Sequence, residues 1–342
     1  MTDASAAAVI SSSPHLHGAE TVAAIMRKVL LALVPGIAVQ TWVFGLGVLI
    51  QIALALIAGI ISEALMLALR RQPMRMFLTD GSVCVTALLF ALAMPPGAPW
   101  WLTFIGMTFA VIVAKHAYGG LGYNIFNPAM AGYALLLVCF PYELKQWAYG
   151  GEWMPPTQVF GQILGYISAG ADAVSGATAL EFMRSELRAM KMLSELVDAR
   201  AFGLFGSGGG EWINVAFLIG GLWLLAVRVI RWQIPVGFLS GLVFLALLFY
   251  LGNVDRYASP LFHLFSGAAM LGAFFIATDP VSSPVTPLGR LSFGLAVGML
   301  VYVTRVYGSY PDGVAFAVLI MNAASPLIDR CTRPRVLGEQ RS

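Results

Sequence analysis

Ten apolar stretches, each broken off by charged, proline, glycine or asparagine residues, take up most of this 342-residue chain. They run over about 29–43, 48–69, 80–94, 101–114, 128–141, 212–227, 234–251, 261–278, 291–304 and 313–328. A helix needs roughly 20 residues to cross the hydrocarbon layer, so flanking glycine, serine and threonine must complete the shorter runs. None of the runs alternates as a barrel strand does, which leaves helices as the spanning form. Charged residues make up 11% of the chain and hydrophobic residues 59%, with a mean hydropathy of +0.81. A soluble fold has no place for that much apolar surface. The composition therefore excludes a soluble enzyme, a disordered chain and a disulfide scaffold, and the expected fold class is an all-α polytopic membrane protein of about ten transmembrane helices.

Orientation follows from positive charge, which gathers in short cytoplasmic loops. With the N-terminus inside, the cytoplasmic face receives Arg27, Lys28, Arg70, Arg71, Arg75, Lys115, Arg228, Arg231, Arg290, Arg330, Arg333, Arg335 and Arg341. The short outer loops keep only Arg256 and Arg305. Residues 1–28 and 330–342 are expected as cytoplasmic tails, with no signal peptide before the first span. The formal net charge of +3 gives no reason to expect nucleic acid as a partner. Cys84, Cys139 and Cys331 lie far apart, which indicates neither a disulfide framework nor a zinc site.

The spans divide evenly around an insert at 142–211, giving five-span halves at 29–141 and 212–329. Five is odd, so the halves would enter the bilayer from opposite sides, as in the inverted repeats of many transporters. Thr79-Asp80 opens the third span and Thr278-Asp279 closes the eighth; Asn127-Pro128 and Pro311-Asp312-Gly313 precede the fifth and tenth. The insert is the only extended polar region, and topology puts it on the periplasmic side. It opens with an aromatic, glycine- and proline-rich stretch that includes Trp147. From Thr178 onward Leu180, Met183, Leu187, Met190, Leu193 and Val197 recur at helical spacing. Gly203 to Gly210 read as a flexible return to the membrane.

The chemistry concentrates at Asp172-Ala173-Val174-Ser175-Gly176-Ala177-Thr178. One reading is local: Thr178 and Glu181 form a capping box that starts a helix. The other is chemical. A threonine hydroxyl flanked by Gly176 and Ala177 is sterically open to attack a phosphate, and a helix start beside it offers free amides and a positive dipole end to the product.

Asp-x-x-Ser-Gly-Ala-Thr resembles the flavinylation motif of the membrane D subunit of the Rnf electron transport complex, a relative of the B subunit of the sodium-pumping NADH:quinone reductase. Leu78-Thr79-Asp80-Gly81-Ser82, Gly119 to Ala129 and Thr278 to Pro284 resemble segments of the same family, and the similarity covers about residues 20–330. The resemblance implies FMN joined through its phosphate to Thr178 by a flavin transferase, with Asp172, Ser175, Gly176 and Ala177 forming the rest of the motif. It also implies a non-covalent riboflavin within the membrane part. Asn124 and Asn127, on an irregular stretch with Tyr123 and Phe126, have the polar and aromatic chemistry for that ring. The family couples electron flow between NADH and ferredoxin to ion movement in the bacterial inner membrane. This chain carries no Rossmann fingerprint and no ferredoxin-type cysteines, so partner subunits are implied. A transporter, channel or inert scaffold in which Thr178 only caps a helix is the competing reading.

Ionisable groups inside spans are functional candidates by default. Asp80, Asp279 and Glu63 qualify as ion-pathway residues. For Glu63 the bland expectation is a surface pair with Arg70, seven residues on; for Lys115 it is snorkelling to the cytoplasmic surface. Arg184 and Arg188 lie one to three turns past Thr178, placed either to meet a phosphate or to solvate a helix face.

Overall fold

The structure, a computed structural model, describes residues 21–147, 156–165, 178–196 and 202–333. Its regular elements are all helices among these residues, with isolated bridge residues at Trp147 and at the pair Phe202 and Ser207. The first part contains α1 (Val22–Phe44), α2 (Gly47–Leu69), the short α3 (Met74–Leu78), α4 (Ser82–Ala93), α5 (Trp100–Phe109) with a π-helical extension over Ala110–His116, α6 (Pro128–Cys139) and α7 (Pro141–Leu144). The described parts of the insert contain α8 (Pro156–Leu164) and α9 (Ala179–Arg188). The last part contains α10 (Gly210–Ala226), α11 (Gln233–Gly252), α12 (Pro260–Leu264), α13 (Ala269–Leu271) with a π-helical turn over Gly272–Ile276, α14 (Pro287–Tyr307) and α15 (Val314–Cys331). Five of these, α1, α2, α11, α14 and α15, are long and apolar enough to cross a membrane, and shorter apolar helices accompany them. The chain is a polytopic membrane protein.

Helix starts follow local rules. Asn127, Ser259 and Thr286 each cap a helix with the side-chain oxygen, and each is followed by a proline at the first helical position. A proline there lacks only an amide that would have had no partner in any case. Pro35 and Pro326 sit inside α1 and α15, which membrane helices tolerate because neighbouring groups satisfy the freed backbone.

The most extensive helix pair is α11 against α14. Its seam is glycine on both sides. A Cβ on Gly237 or Gly241 would strike the main chain of Leu291 or Leu295; one on Gly294 or Gly298 would strike that of Ile234 or Phe238. Lipid offers no hydrophobic drive for helices to associate, so such close backbone approach supplies the attraction. Across the two parts of the chain, α1 packs on α10 and α6 on α15.

Two details differ from the expectations. The amphipathic helix after Thr178 stops at Arg188. Met190 turns left-handed (φ +65°) and is 91% exposed, and the Lys191 amide closes the end by donating to Glu186 O. Val197 lies outside the described residues. The return over Gly203–Gly210 is tied down: the buried carboxylate of Glu211 accepts the amides of Leu204, Phe205 and Gly206 at 3.0–3.3 Å.

Candidate functional site beneath Thr178

Thr178 is the N-cap of α9, and its hydroxyl accepts the Glu181 amide at 3.2 Å. The helix is held on its two faces. Leu180 and Met183 bury against Ala258 and Phe262, at the start of α12. On the other face Arg184, 7% exposed, donates to Tyr310 O at 3.0 Å and Arg305 O at 3.5 Å; Arg188 donates to Tyr307 O and Gly308 O. Both arginines thus grip main-chain carbonyls around the turn between α14 and α15. Burial holds the Arg184 guanidinium below the usual arginine range, with Arg188 adding to it and Glu181 and Asp312 opposing. Lys145 pairs with Glu181 at 3.2 Å and ties α9 to the end of α7.

So anchored, Thr178 stands half-buried on the wall of a cavity of about 160 Å³. The cavity lies between the two parts of the chain: Gln40 and Phe44 come from α1, Tyr133 from α6, Phe217 from α10 and Ala315 from α15. Phe44, Tyr133, Trp147 and Phe217 give it aromatic walls, while Gly208, Gly210, Gly267 and Ala268 leave space. The Trp147 indole N–H has no hydrogen-bond partner among the described residues. Flat aromatic walls with a few polar groups are what a planar heteroaromatic ring requires. Nothing in the sequence marked this cavity, because its walls come from segments as distant in the chain as Gln40 and Ala315.

Asp312 lines the same cavity. Its carboxylate takes Nε and Nη2 of Arg305 at 2.9 and 3.0 Å, and the amides of Ala268 and Gly313 at 2.7 and 2.6 Å. Burial works to raise this carboxyl, and Arg305 with the two amides overrides it, holding Asp312 below the usual carboxylate range. Asp172, Ser175, Gly176 and Ala177 lie outside the described residues.

The other candidates stand elsewhere. Glu63 is not paired with Arg70. It meets Lys115 Nζ at 2.8 and 3.0 Å and His116 Nε2 at 3.1 Å, while Arg70 turns to His116 Nδ1 and Gly119 O. Nor does Lys115 snorkel: it is 2% exposed, and it also donates to Ser82 Oγ at 3.1 Å. The π-helical extension of α5 turns Lys115 and His116 inward together, which a regular 3.6-residue reading cannot foresee. Asp80 accepts the Ser82 amide at 2.7 Å at the start of α4. Asp279 accepts the Val281 amide and the Ser282 hydroxyl after the second π turn. Asn124 donates to Phe126 O, and Asn127 caps α6 while donating to Ile276 O.

The sequence profile of the NQR2, RnfD, RnfE family matches residues 9–338. The chain belongs to this family. A member from Pseudomonas aeruginosa (strain UCBPP-PA14), described as the D subunit of an ion-translocating oxidoreductase complex, is 50% identical over 332 residues, 97% of this chain and 96% of the relative. Proteins of the same description from Alcanivorax borkumensis and Aliivibrio salmonicida are 48% and 45% identical, over 98% and 97% of this chain and 98% and 99% of their own lengths. Family membership thus spans both helical parts, the insert and the cavity between them.

Proposed function

We propose that this chain is the membrane-embedded electron carrier of an ion-translocating oxidoreductase complex of the ferredoxin–NAD type, with FMN carried on Thr178 as a phosphoester. The observation that supports this most is the position of Thr178: a helix-capping hydroxyl on the wall of an aromatic cavity between the two parts of the fold. Ten helical segments, counting α12–α13 as one broken helix and joining α5 to its π extension, fall on the ten apolar runs. They make two five-helix halves of opposite entry. The insert then faces the periplasm and both tails the cytoplasm of a bacterial inner membrane.

The residues fit an FMN group. The first amides of α9 have no intrahelical acceptor and meet a phosphate in the positive end of the helix dipole. Lys145, already at Glu181, adds a cation nearby. Phe44, Trp147, Tyr133 and Phe217 enclose a ring, and the Trp147 N–H is available to one of its carbonyl oxygens. The covalent tie keeps a cofactor that faces the outside from washing away. When bound, FMN supplies one- and two-electron chemistry. This chain's residues anchor it, shield it from water and fix its distance from neighbouring subunits. Those subunits and a flavin transferase are the implied partners; the complex as a whole moves sodium or protons. A riboflavin near Asn124 and Asn127 stays part of the proposal.

The capping hydrogen bond to Glu181 favours one competing reading, a transport or scaffold protein in which Thr178 only starts a helix. A denaturing gel separates the two. Flavin fluorescence in the band of this chain, lost in Thr178→Val and kept in Thr178→Ser, is expected. A fluorescent band in Thr178→Val, or an intact mass equal to that of the bare polypeptide, overturns the attachment.

A further inference from the structure

The two most deeply buried lysine or arginine side chains among the described residues are counterparts. Lys115 and Arg305 are each 2% exposed. Each lies in the last turn of the fourth helix of its half: Lys115 in the π-helical extension of α5, Arg305 at the end of α14. Within three residues each is followed by a Tyr-Gly pair, Tyr118-Gly119 and Tyr307-Gly308. Each is neutralised by a carboxylate of its own half, Glu63 for Lys115 and Asp312 for Arg305. Each also reaches the interruption in the third helix of its half. Lys115 bonds Ser82, where the chain re-enters helix after Thr79–Gly81. Arg305 bonds the carbonyls of His263 and Ser266, at the gap between α12 and α13.

They stand at opposite ends of the molecule. Gly81, next to Ser82, backs onto Met26 near the start of α1, whereas Phe44 at its end shares the cavity with Asp312. The helix between Met26 and Phe44 rises roughly 27 Å, at ~1.5 Å per residue.

Interrupted helices are where inverted-repeat transporters hold their coupling ions, on carbonyls freed by the break. Here the freed carbonyls of His263 and Ser266 already receive a guanidinium that belongs to the chain. An entering cation would have to displace it at one end and face the Lys115 ammonium at the other. In each pair the tethered cation already fills the carboxylate that a free cation would need, and a positive group fixed in this way turns cations and protons away in pores. We propose that Lys115 and Arg305 are tethered cations that close both ends of this chain to free cations: electrons cross through this subunit, and sodium or protons pass outside it, through other subunits of the complex. The inference rests on the proposed pairing of the two halves and on membership of the complex. It does not depend on the flavin at Thr178, so either can fail alone.

The test uses the assembled complex in vesicles of phosphatidylethanolamine and phosphatidylglycerol, without electron donor. Efflux of radioactive sodium and decay of an imposed pH gradient are followed. Wild type and the charge-keeping pair Lys115→Arg with Arg305→Lys are expected to stay tight. Lys115→Gln with Arg305→Gln keeps polar side chains with donors but removes both charges; it is expected to pass sodium or protons roughly a hundredfold faster. A double glutamine variant that assembles with its flavin and stays tight overturns the proposal. So does a leak in the charge-keeping pair that wild type lacks, which shows that retained charge does not close the chain and decides the matter where the glutamine variant does not assemble.

Discussion

Glu63 and Lys115 lie 52 positions apart and meet at 2.8 Å, with side chains only 2% and 3% exposed. A charge pair this deep is held by its completeness: each partner leaves an uncompensated charge if the other is removed.

Glu63→Leu or Lys115→Met alone is therefore expected to destabilise the chain by about 3–5 kcal/mol, and the double variant to recover most of that loss. Thermal unfolding of the detergent-solubilised complex, read as a double-mutant cycle, checks it. Additive losses would show that the pair contributes nothing as a unit.

The glycine seam predicts a steric effect. Gly298→Leu, whose Cβ meets the Phe238 main chain, is expected to cost at least roughly 1–3 kcal/mol and to part α11 from α14. Gly252→Leu, where a Cβ meets nothing within 4 Å, serves as the control and is expected to behave as wild type in the same melt.

Removing the grip of α9 should show locally. Arg184→Met loses the bonds to Tyr310 O and Arg305 O and is expected to speed amide exchange across residues 179–188 at least about tenfold. Exchange in α11 and α14 is expected to stay unchanged; uniform acceleration would mean that the arginine supports the whole fold instead.

Asp312 carries a pH signature. Its carboxyl is held below the usual range in the folded chain, so its contribution is complete above the unfolded value of about 3.9 and fades as pH falls toward the lower folded value. The stability gap between wild type and Asp312→Asn is accordingly expected to be constant from neutral pH down to about 4–5 and to narrow below it. A gap that narrows toward alkaline pH would contradict the assignment.

What could be read from the sequence was local. Asn127-Pro128 places cap, first-turn proline and helix within a few residues, so the punctuation seen in the sequence is the punctuation of the fold. The end of α9 was hidden because Met190 and Leu193 continue the apolar period, although the backbone at Met190 has already left the helix. The partner of Glu63 was hidden for a different reason. Within one helix Arg70 is the obvious candidate, and only the π-helical register brings Lys115 and His116 across to it. The cavity beneath Thr178 belongs to no single segment, so no local pattern announces it.

Among the described residues, Arg184 and Arg188 donate to peptide carbonyls alone, at the α14–α15 turn. Every residue type presents the same carbonyl, so the dock for α9 is indifferent to which side chains the turn displays. That face is free to be re-sculpted for a new neighbour without loosening the threonine it helps to hold.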